Sequence, residues 1–417
     1  MAYLKRIIED EFMGNLAAAG AVLIKGPKSC GKTEMARQFA KSILQVDRDT
    51  QVPIAMAINP AMLLQGNTPR LIDEWQEQPV LWNYVRHEVD DRQQKGQFIL
   101  TGSANPSDDV RLHSGAGRFT TVQMDTMSWQ ELGFSTGKFS MSDLLQGNTI
   151  DAFHEAVSLD FIIERMIIGG FPTVLNESVE NAQRISKGYI DLLAEVDMSR
   201  VSNTKRDPLK VRALLRSLAR NVATMVENST LEKDIKMAEK DGVSRNTITD
   251  YLDALARLMI LYEQPAFNPH IRSSASLRKS PKRHLCDVSL AIAALGLNKV
   301  TLLNDLQYTG FLFESMATHE LKIYANANDA TLFHYRDSYN VEIDAIAQKR
   351  NGDYAAFEIK LGTGFIDEAV ENLKKFEQNI DTTRMNLPKS LNVITGTGMS
   401  YRRPDGINVI SLAALGR

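Results

Sequence analysis

The sequence predicts an α/β protein with an N-terminal parallel sheet, a helical middle and a second α/β unit on the C-terminal side. Three observations carry this prediction. The apolar run Ala21-Val22-Leu23-Ile24 passes directly into a glycine-punctuated loop and then a helix. Strand-like and helix-like stretches go on alternating to about residue 101, the pattern of a parallel sheet with crossover helices. After a mostly helical stretch, a long helix from residue 310 is followed by three strand-like runs, another helix and a further strand.

Taken in order, residues 1–20 read as a short helix feeding the first strand. A helix from Thr33 to about Gln45 follows the glycine loop, with Met35, Phe39, Ala40 and Ile43 at helical spacing. A strand is expected near Pro53–Ile58, and a short one at Arg70-Leu71-Ile72 runs into Asp73-Glu74. A helix from about Val80 to Gln94 precedes the strand Phe98-Ile99-Leu100-Thr101. Residues 150–228 read as mostly helical, with Gly169-Gly170-Phe171-Pro172 ending one helix at Ile168. Residues 229–263 read as a helix-turn-helix followed by a strand, and 268–282, rich in Ser, Arg, Lys and Pro, as a loop or linker. Beyond lie a helix over 310–326, strands at Thr331–Tyr335, Val341–Ala347 and Tyr354–Ile359, a helix over 366–379 and the strand Asn392-Val393-Ile394. The expected divisions are 1–150, 151–285 and 286–417; a chain of 417 residues has room for two to four domains of roughly 100–200 residues each.

The composition, 43% hydrophobic and 24% charged, is that of an ordinary globular chain. Two cysteines, Cys30 and Cys286, exclude a disulfide framework and a cysteine-rich zinc site. Acidic residues at Glu9 and Asp10, with no apolar core behind them, argue against a signal peptide, and no apolar run reaches membrane-spanning length. A cytoplasmic location without membrane contact is expected. From Arg200 to Leu285 there are 17 Lys/Arg against 9 Asp/Glu; with a net charge of −3 overall, that surplus of eight leaves −11 on the rest. A basic middle suits a polyanion partner or, equally, a well-solvated helical face.

Gly26-Pro27-Lys28-Ser29-Cys30-Gly31-Lys32-Thr33 matches the phosphate-loop pattern G-x-x-x-x-G-K-[ST] in full, in the required place between strand and helix. Its glycines let backbone N–H groups close around phosphate oxygens at a helix N-terminus. Lys32 should reach the β- and γ-phosphates of a nucleoside triphosphate and Thr33 should ligate Mg²⁺. Asp73 and Glu74, ending the short strand, read as the partner acids: Asp73 holding Mg²⁺ through water, Glu74 activating the attacking water. Pro69 and Arg70 make that strand weaker than usual, and the bland alternative is an exposed acidic strand end. Thr101 and Ser103, at the end of the next strand, are placed to lie beside the γ-phosphate. Arg118, on the glycine-rich turn His113-Ser114-Gly115-Ala116-Gly117, reads either as an arginine finger or as a structural salt-bridge residue.

Two further constellations stand out. In the helix-turn-helix, Ser229-Thr230-Leu231-Glu232 resembles a capping box, Asp241-Gly242-Val243 makes the turn and Ser244 caps the second helix. Arg245, Asn246 and Thr247 then lie at the exposed end where recognition helices meet base edges, although such a module also serves for packing alone. Near the C-terminus, Asp344 and Glu358-Ile359-Lys360 follow the D…E-x-K pattern of restriction-endonuclease-like folds, with Glu314 on the preceding helix. Residues i and i+2 of a strand share a face, so Glu358 and Lys360 point together. Two facing carboxylates there can hold a second divalent ion, Mg²⁺ or Mn²⁺, with Lys360 steadying the water or phosphate. The alternative is a polar edge that binds nucleic acid or protein without cutting.

Residues 70–76 (Arg-Leu-Ile-Asp-Glu-Trp-Gln), 96–103 (Gly-Gln-Phe-Ile-Leu-Thr-Gly-Ser) and 114–118 (Ser-Gly-Ala-Gly-Arg) resemble the AAA-type ATPases of bacteria and archaea that carry an uncharacterised, nuclease-like C-terminal domain. The resemblance extends through Gly-Gly-Phe-Pro (169–172), Ser-Pro-Lys-Arg-His-Leu-Cys-Asp (280–287) and Gly-Phe-Leu-Phe-Glu (310–314), departing at Val288, where similar sequences usually place Pro. It implies an AAA-like P-loop core, a winged-helix segment at about 229–263, a restriction-endonuclease-like tail, and adenine as the base. The resulting expectation is a Mg²⁺-dependent ATPase acting as a switch or motor on nucleic acid, DNA foremost, with a nuclease tail and a homo-oligomeric form. The rival expectation is a regulatory ATPase whose middle and tail are interaction modules.

Overall fold

The computed structural model describes residues 3–102, 115–150, 152, 155–201, 205–238, 243–268, 280–337 and 341–417. Five strands form the N-terminal sheet: β1 Ala21–Lys25, β2 Ser42–Gln45, β3 Arg70–Asp73, β4 Phe98–Gly102 and β5 Phe119–Gln123. All are parallel, in the order β2-β3-β4-β1-β5. β1 is buried along nearly its whole length because strands lie on both sides and helices cover both faces. Alternate residues divide between two cores. Leu23, Ile72, Phe98 and Leu100 pack with Trp75 and Trp82, while Val22, Ile24, Leu71 and Ile99 pack with Phe12, Met35 and Ala36. β4 lies between β1 and β3 and aligns Thr101 with both Ile24 and Asp73 at one sheet edge.

Two expected elements differ. The helix after the phosphate loop runs only from Lys32 to Phe39, and Ser42–Gln45 is the edge strand β2. The helical spacing of Ile43 misled, because the edge strand buries Leu44 and leaves Ile43 43% exposed. Val52–Ile58, expected as a strand for its apolar content, is a helix with Pro53 in its first turn, where the missing N–H is not needed.

The middle of the chain packs helices Leu159–Ile168, Val179–Leu192, Pro208–Arg220, Asn228–Ala238 and Arg245–Arg257, then the antiparallel pair β7 Leu261–Gln264 and β8 Lys282–Leu285. Ser244 caps Arg245–Arg257 by accepting the N–H of Thr247, as expected. The other helix begins at Asn228, so Ser229 lies inside it rather than at its cap. Asp241 and Gly242, expected as the turn, and most of the expected linker, 269–279, lie outside the described residues; Lys282, assigned to that linker, is a strand residue.

The C-terminal sheet has six strands in the order β13-β14-β12-β11-β10-β9: β9 Ala330–Arg336, β10 Glu342–Lys349, β11 Tyr354–Lys360, β12 Ser390–Thr395, β13 Tyr401–Arg402 and β14 Asn408–Ser411. It is mixed: β9–β10–β11 run antiparallel, and β11–β12–β14 parallel. The helix Leu306–Asn326 packs against β9, β10 and β11, and Ile366–Gln378 against β10, β11 and β12. Pairing of β9 with β10 shifts register between Ile343 and Ile346, and Asp344 sits in that irregularity. Such bulges re-aim side chains. The short strand β15, Leu415–Gly416, returns to pair with β6, Phe139–Ser140. Among the described residues no helix is long and apolar enough to cross a membrane.

Trp82 is 3% exposed, with Phe119 stacked on it at 4.0 Å and Trp75 at 5.2 Å. Trp82→Ala should destabilise the N-terminal sheet by about 3–5 kcal/mol, read as an earlier unfolding transition in denaturant titration.

Candidate functional site

The phosphate loop leaves β1 at the carboxyl edge of the first sheet. A Cβ on Gly26 would meet the Met124 carbonyl oxygen at 2.2 Å, so only glycine fits there. Ser29 and Gly31 take left-handed conformations, φ +65° and +102°, which fold the loop back before the helix begins at Lys32. Lys32 is 5% exposed, and its Nζ donates to the carbonyl oxygens of Gly26 and Pro27 at 2.9 Å each.

The acids expected from the sequence converge on this loop. One oxygen of Asp73, Oδ1, accepts the hydroxyls of Thr33 at 2.7 Å and Thr101 at 2.6 Å. Thr33 and Asp73 thus present hard oxygen donors side by side next to Lys32, a set that fits Mg²⁺. Glu74 follows at φ +54°, a left-handed conformation uncommon for a non-glycine residue. Burial pushes its carboxyl up, only partly countered by the Gln76 amide that donates to it and by the Lys32 charge. Beside it, Trp75 Nε1 and Gln76 Oε1 are buried without hydrogen-bond partners in the described structure.

The remaining predicted residues separate from this group. Arg118 precedes β5, whose first residue aligns with Ala21 at the start of β1, so it stands at the opposite edge of the sheet from its own phosphate loop. There it pairs with Asp90 at 2.8 Å, both side chains well exposed. Ser103, His113 and Ser114 lie outside the described residues.

Three contacts around the loop carried no readable motif. Arg6, 4% exposed, donates to the Cys30 carbonyl at 2.9 Å and the Asp125 carbonyl at 2.8 Å, and pairs with Glu131 at 3.0 Å. Lys28 pairs with Asp197 at 3.3 Å, and Tyr189 donates to the Lys28 carbonyl at 3.3 Å, so the helical middle grips the loop directly.

At the other end of the molecule, Asp344, Glu358 and Lys360 converge on adjacent strands, with Glu314 from the helix Leu306–Asn326. Lys360 Nζ lies 2.8 Å from Glu358 and 3.9 Å from Asp344 Oδ2, which also accepts the Ile359 N–H at 2.9 Å. The sequence reading missed Lys282. Its Nζ lies 2.8 Å from Glu314, 2.9 Å from Glu342 and 3.1 Å from Asp344. Burial and the charge of Asp344 push Glu358 up to about 8 and Glu314 to about 7. Burial would raise Asp344 too, but Lys282 and Lys360 outweigh it and hold that carboxyl low. The cluster lines a cleft of about 590 Å³ whose other wall is the segment Asn221–Thr230. Among the described residues no group of three or more His, Cys, Asp or Glu is arranged to hold a metal ion. With the Lys282 ammonium standing among these carboxylates, the residues present do not fit the second divalent ion expected at Asp344 and Glu358.

Residues 18–133 match the model of the AAA domain, 160–301 a domain of unknown function (DUF8612) and 309–415 another (DUF4143). The chain is 25% identical over 353 residues to "Uncharacterized protein Rv2008c" of Mycobacterium tuberculosis and to "Uncharacterized protein Mb2031c" of Mycobacterium bovis, spanning 83% of this chain and 71% of each relative. The matches identify an AAA-type ATPase domain on the N-terminal side, of a kind that typically uses ATP and Mg²⁺, and a DUF4143 domain on the C-terminal side.

Proposed function

We propose that the chain hydrolyses ATP with Mg²⁺ and uses the cycle as a switch acting on nucleic acid. The observation that carries the ATPase reading is the meeting of Lys32, Thr33, Asp73, Glu74 and Thr101 at one sheet edge, with Asp73 accepting both threonine hydroxyls. Lys32 would exchange the Gly26 and Pro27 carbonyls for the β/γ-phosphate oxygens, neutralising charge as the γ-phosphoryl leaves. Mg²⁺ held by Thr33 and, through water, by Asp73 would supply further charge neutralisation on the phosphate oxygens. Glu74, held by Gln76 next to that edge, would take the proton of the attacking water. Thr101 would orient groups beside the γ-phosphate. Arg118, on the far edge and exposed, suits action on a neighbouring copy's nucleotide in a homo-oligomer rather than on its own.

The nucleic-acid part rests on the middle segment. Arg245 and Asn246 are exposed at the start of the helix Arg245–Arg257, and Arg216 and Lys233 are exposed on neighbouring helices. Exposed cations near a helix N-terminus are the combination that phosphate backbones favour. In the tail, the convergence of Asp344, Glu358 and Lys360 supports a nuclease-like arrangement. The Lys282 ammonium within it favours the second reading, in which the tail is an interaction module of a regulatory ATPase.

Lys32→Ala should reduce nucleotide affinity or turnover at least tenfold in a folded protein; tight ATP binding by that variant in calorimetry would sink the assignment. Glu74→Gln should bind ATP normally but hydrolyse it at least about a hundredfold more slowly, the size of a lost general base. Because burial raises the Glu74 carboxyl, wild-type turnover should fall on the acid side at a pH above the ordinary carboxylate range; a pH profile of the rate tests this. Arg118→Ala should lower turnover more than binding, and mixing it with Lys32→Ala should restore part of the activity; no recovery and no initial loss would make Arg118 structural only. Double-stranded DNA at low salt should stimulate turnover, and Arg245→Ala should weaken that stimulation while leaving the DNA-free rate unchanged. An identical response in wild type and Arg245→Ala would remove this helix from the interface.

A further inference from the structure

Lys282 is contributed by β8, in the middle of the chain, whereas the carboxylates around it come from the helix Leu306–Asn326 and from β10. Its side chain is 2% exposed. The three N–H donors of an ammonium have three acceptors here, from Glu314, Glu342 and Asp344, at 2.8 to 3.1 Å. Three hard oxygens arranged about one point are what a small divalent cation also seeks, at shorter range and with loss of its own waters. An ammonium and a divalent ion compete for those oxygens: the ion would be repelled by the fixed charge and would have to displace the ammonium from all three.

The neighbouring residues strengthen the hold. Next along β8, Arg283 is tied to Glu263 at 2.9 Å and to the Val226 carbonyl at 3.0 Å, which fixes the strand that delivers Lys282. Lys360 holds Glu358 from the other side at 2.8 Å, so the second acid of a D…E-x-K site is also engaged by a lysine. Asp344 is further committed through its other oxygen to the Ile359 N–H.

We infer that Lys282 is the resident cation of the C-terminal carboxylate cluster, occupying the position a divalent ion would need, so that the folded chain takes no divalent ion there. The site is a lysine-held junction between the middle of the chain and the C-terminal sheet. Removing the ammonium leaves the carboxylates as an oxygen-lined cation site open to the cleft.

The test is a calorimetric titration of the full-length, nucleotide-free protein with Mn²⁺ at mildly alkaline pH, each protein compared with its Asp344→Asn counterpart. That comparison isolates binding at this cluster from binding at Thr33 and Asp73. Wild type should show no Mn²⁺ binding that Asp344→Asn removes. Lys282→Met should gain one Mn²⁺ with at least about tenfold higher affinity than wild type, and the gain should vanish in the Lys282→Met, Asp344→Asn double variant. Lys282→Arg, which keeps the charge, should not gain it. Wild-type binding lost in Asp344→Asn would overturn the inference, as would a folded Lys282→Met that gains nothing. A second measurement stands without the methionine variant. In wild type, Lys282 should resist amine acetylation mapped by mass spectrometry, equally with and without Mn²⁺. Labelling of Lys282 in the native protein, or labelling provoked by Mn²⁺, would overturn the assignment.

Discussion

One carboxylate oxygen, Oδ1 of Asp73, accepts hydroxyls from two separate elements: Thr33 at the start of the phosphate-loop helix and Thr101 at the end of β4. Because β4 lies between β1 and β3, these bonds fasten the loop, the central strand and the acidic strand into one rigid edge. Asp73 is 4% exposed, and without it the half-buried Thr33 hydroxyl and the buried Thr101 hydroxyl would both lose their acceptor, the buried one at about 1–3 kcal/mol. The positions of Lys32, ahead of Thr33, and Glu74, after Asp73, follow from where this oxygen holds their neighbours.

The same edge is continuous with the rest of the molecule. Arg6 joins the Cys30 carbonyl of the loop to the Asp125 carbonyl just past β5. From there Asp125 pairs with Lys322 at 2.7 Å, Thr126 lies 3.0 Å from His319, and the Trp129 N–H donates to Glu320 at 2.9 Å. All three partners are on the helix Leu306–Asn326, which also presents Glu314 to Lys282. The loop and the C-terminal cluster are thus linked by a series of contacts that passes through one helix.

Much of this was legible in the sequence because it depends on local pattern. The loop Gly26–Thr33, the strand carrying Asp73 and the strand pair carrying Asp344 and Glu358-Ile359-Lys360 are set by glycine placement and by short apolar runs. What escaped depends on contacts distant in sequence. Arg6 meets Glu131 and Asp125 more than a hundred residues away, and Tyr189 reaches Lys28 across 161 positions. Lys282 sits in a Ser- and Lys-rich stretch that reads as linker, and only its pairing with Gln264 makes it a strand residue. At Ile43 and Pro53–Ile58 the local pattern itself misled, since an edge strand and a short surface helix both carry apolar residues that remain exposed.

The two buried lysines show how like side chains take unlike roles. Lys32 rests on two neutral carbonyl oxygens at 2.9 Å, contacts that a triphosphate can replace with stronger, charge-assisted ones. Its present partners cost little to leave, so the ammonium is poised for an incoming anion. Lys282 rests on three carboxylates, and burial amplifies the attraction to Glu314 and Asp344. Withdrawing it would strand the buried acids Glu314 and Asp344 without their cation, an arrangement that breaks at high cost once formed. The lysine facing neutral oxygens is therefore the one suited to cycle with ligand, and the lysine facing carboxylates is the one suited to hold two parts of the chain together.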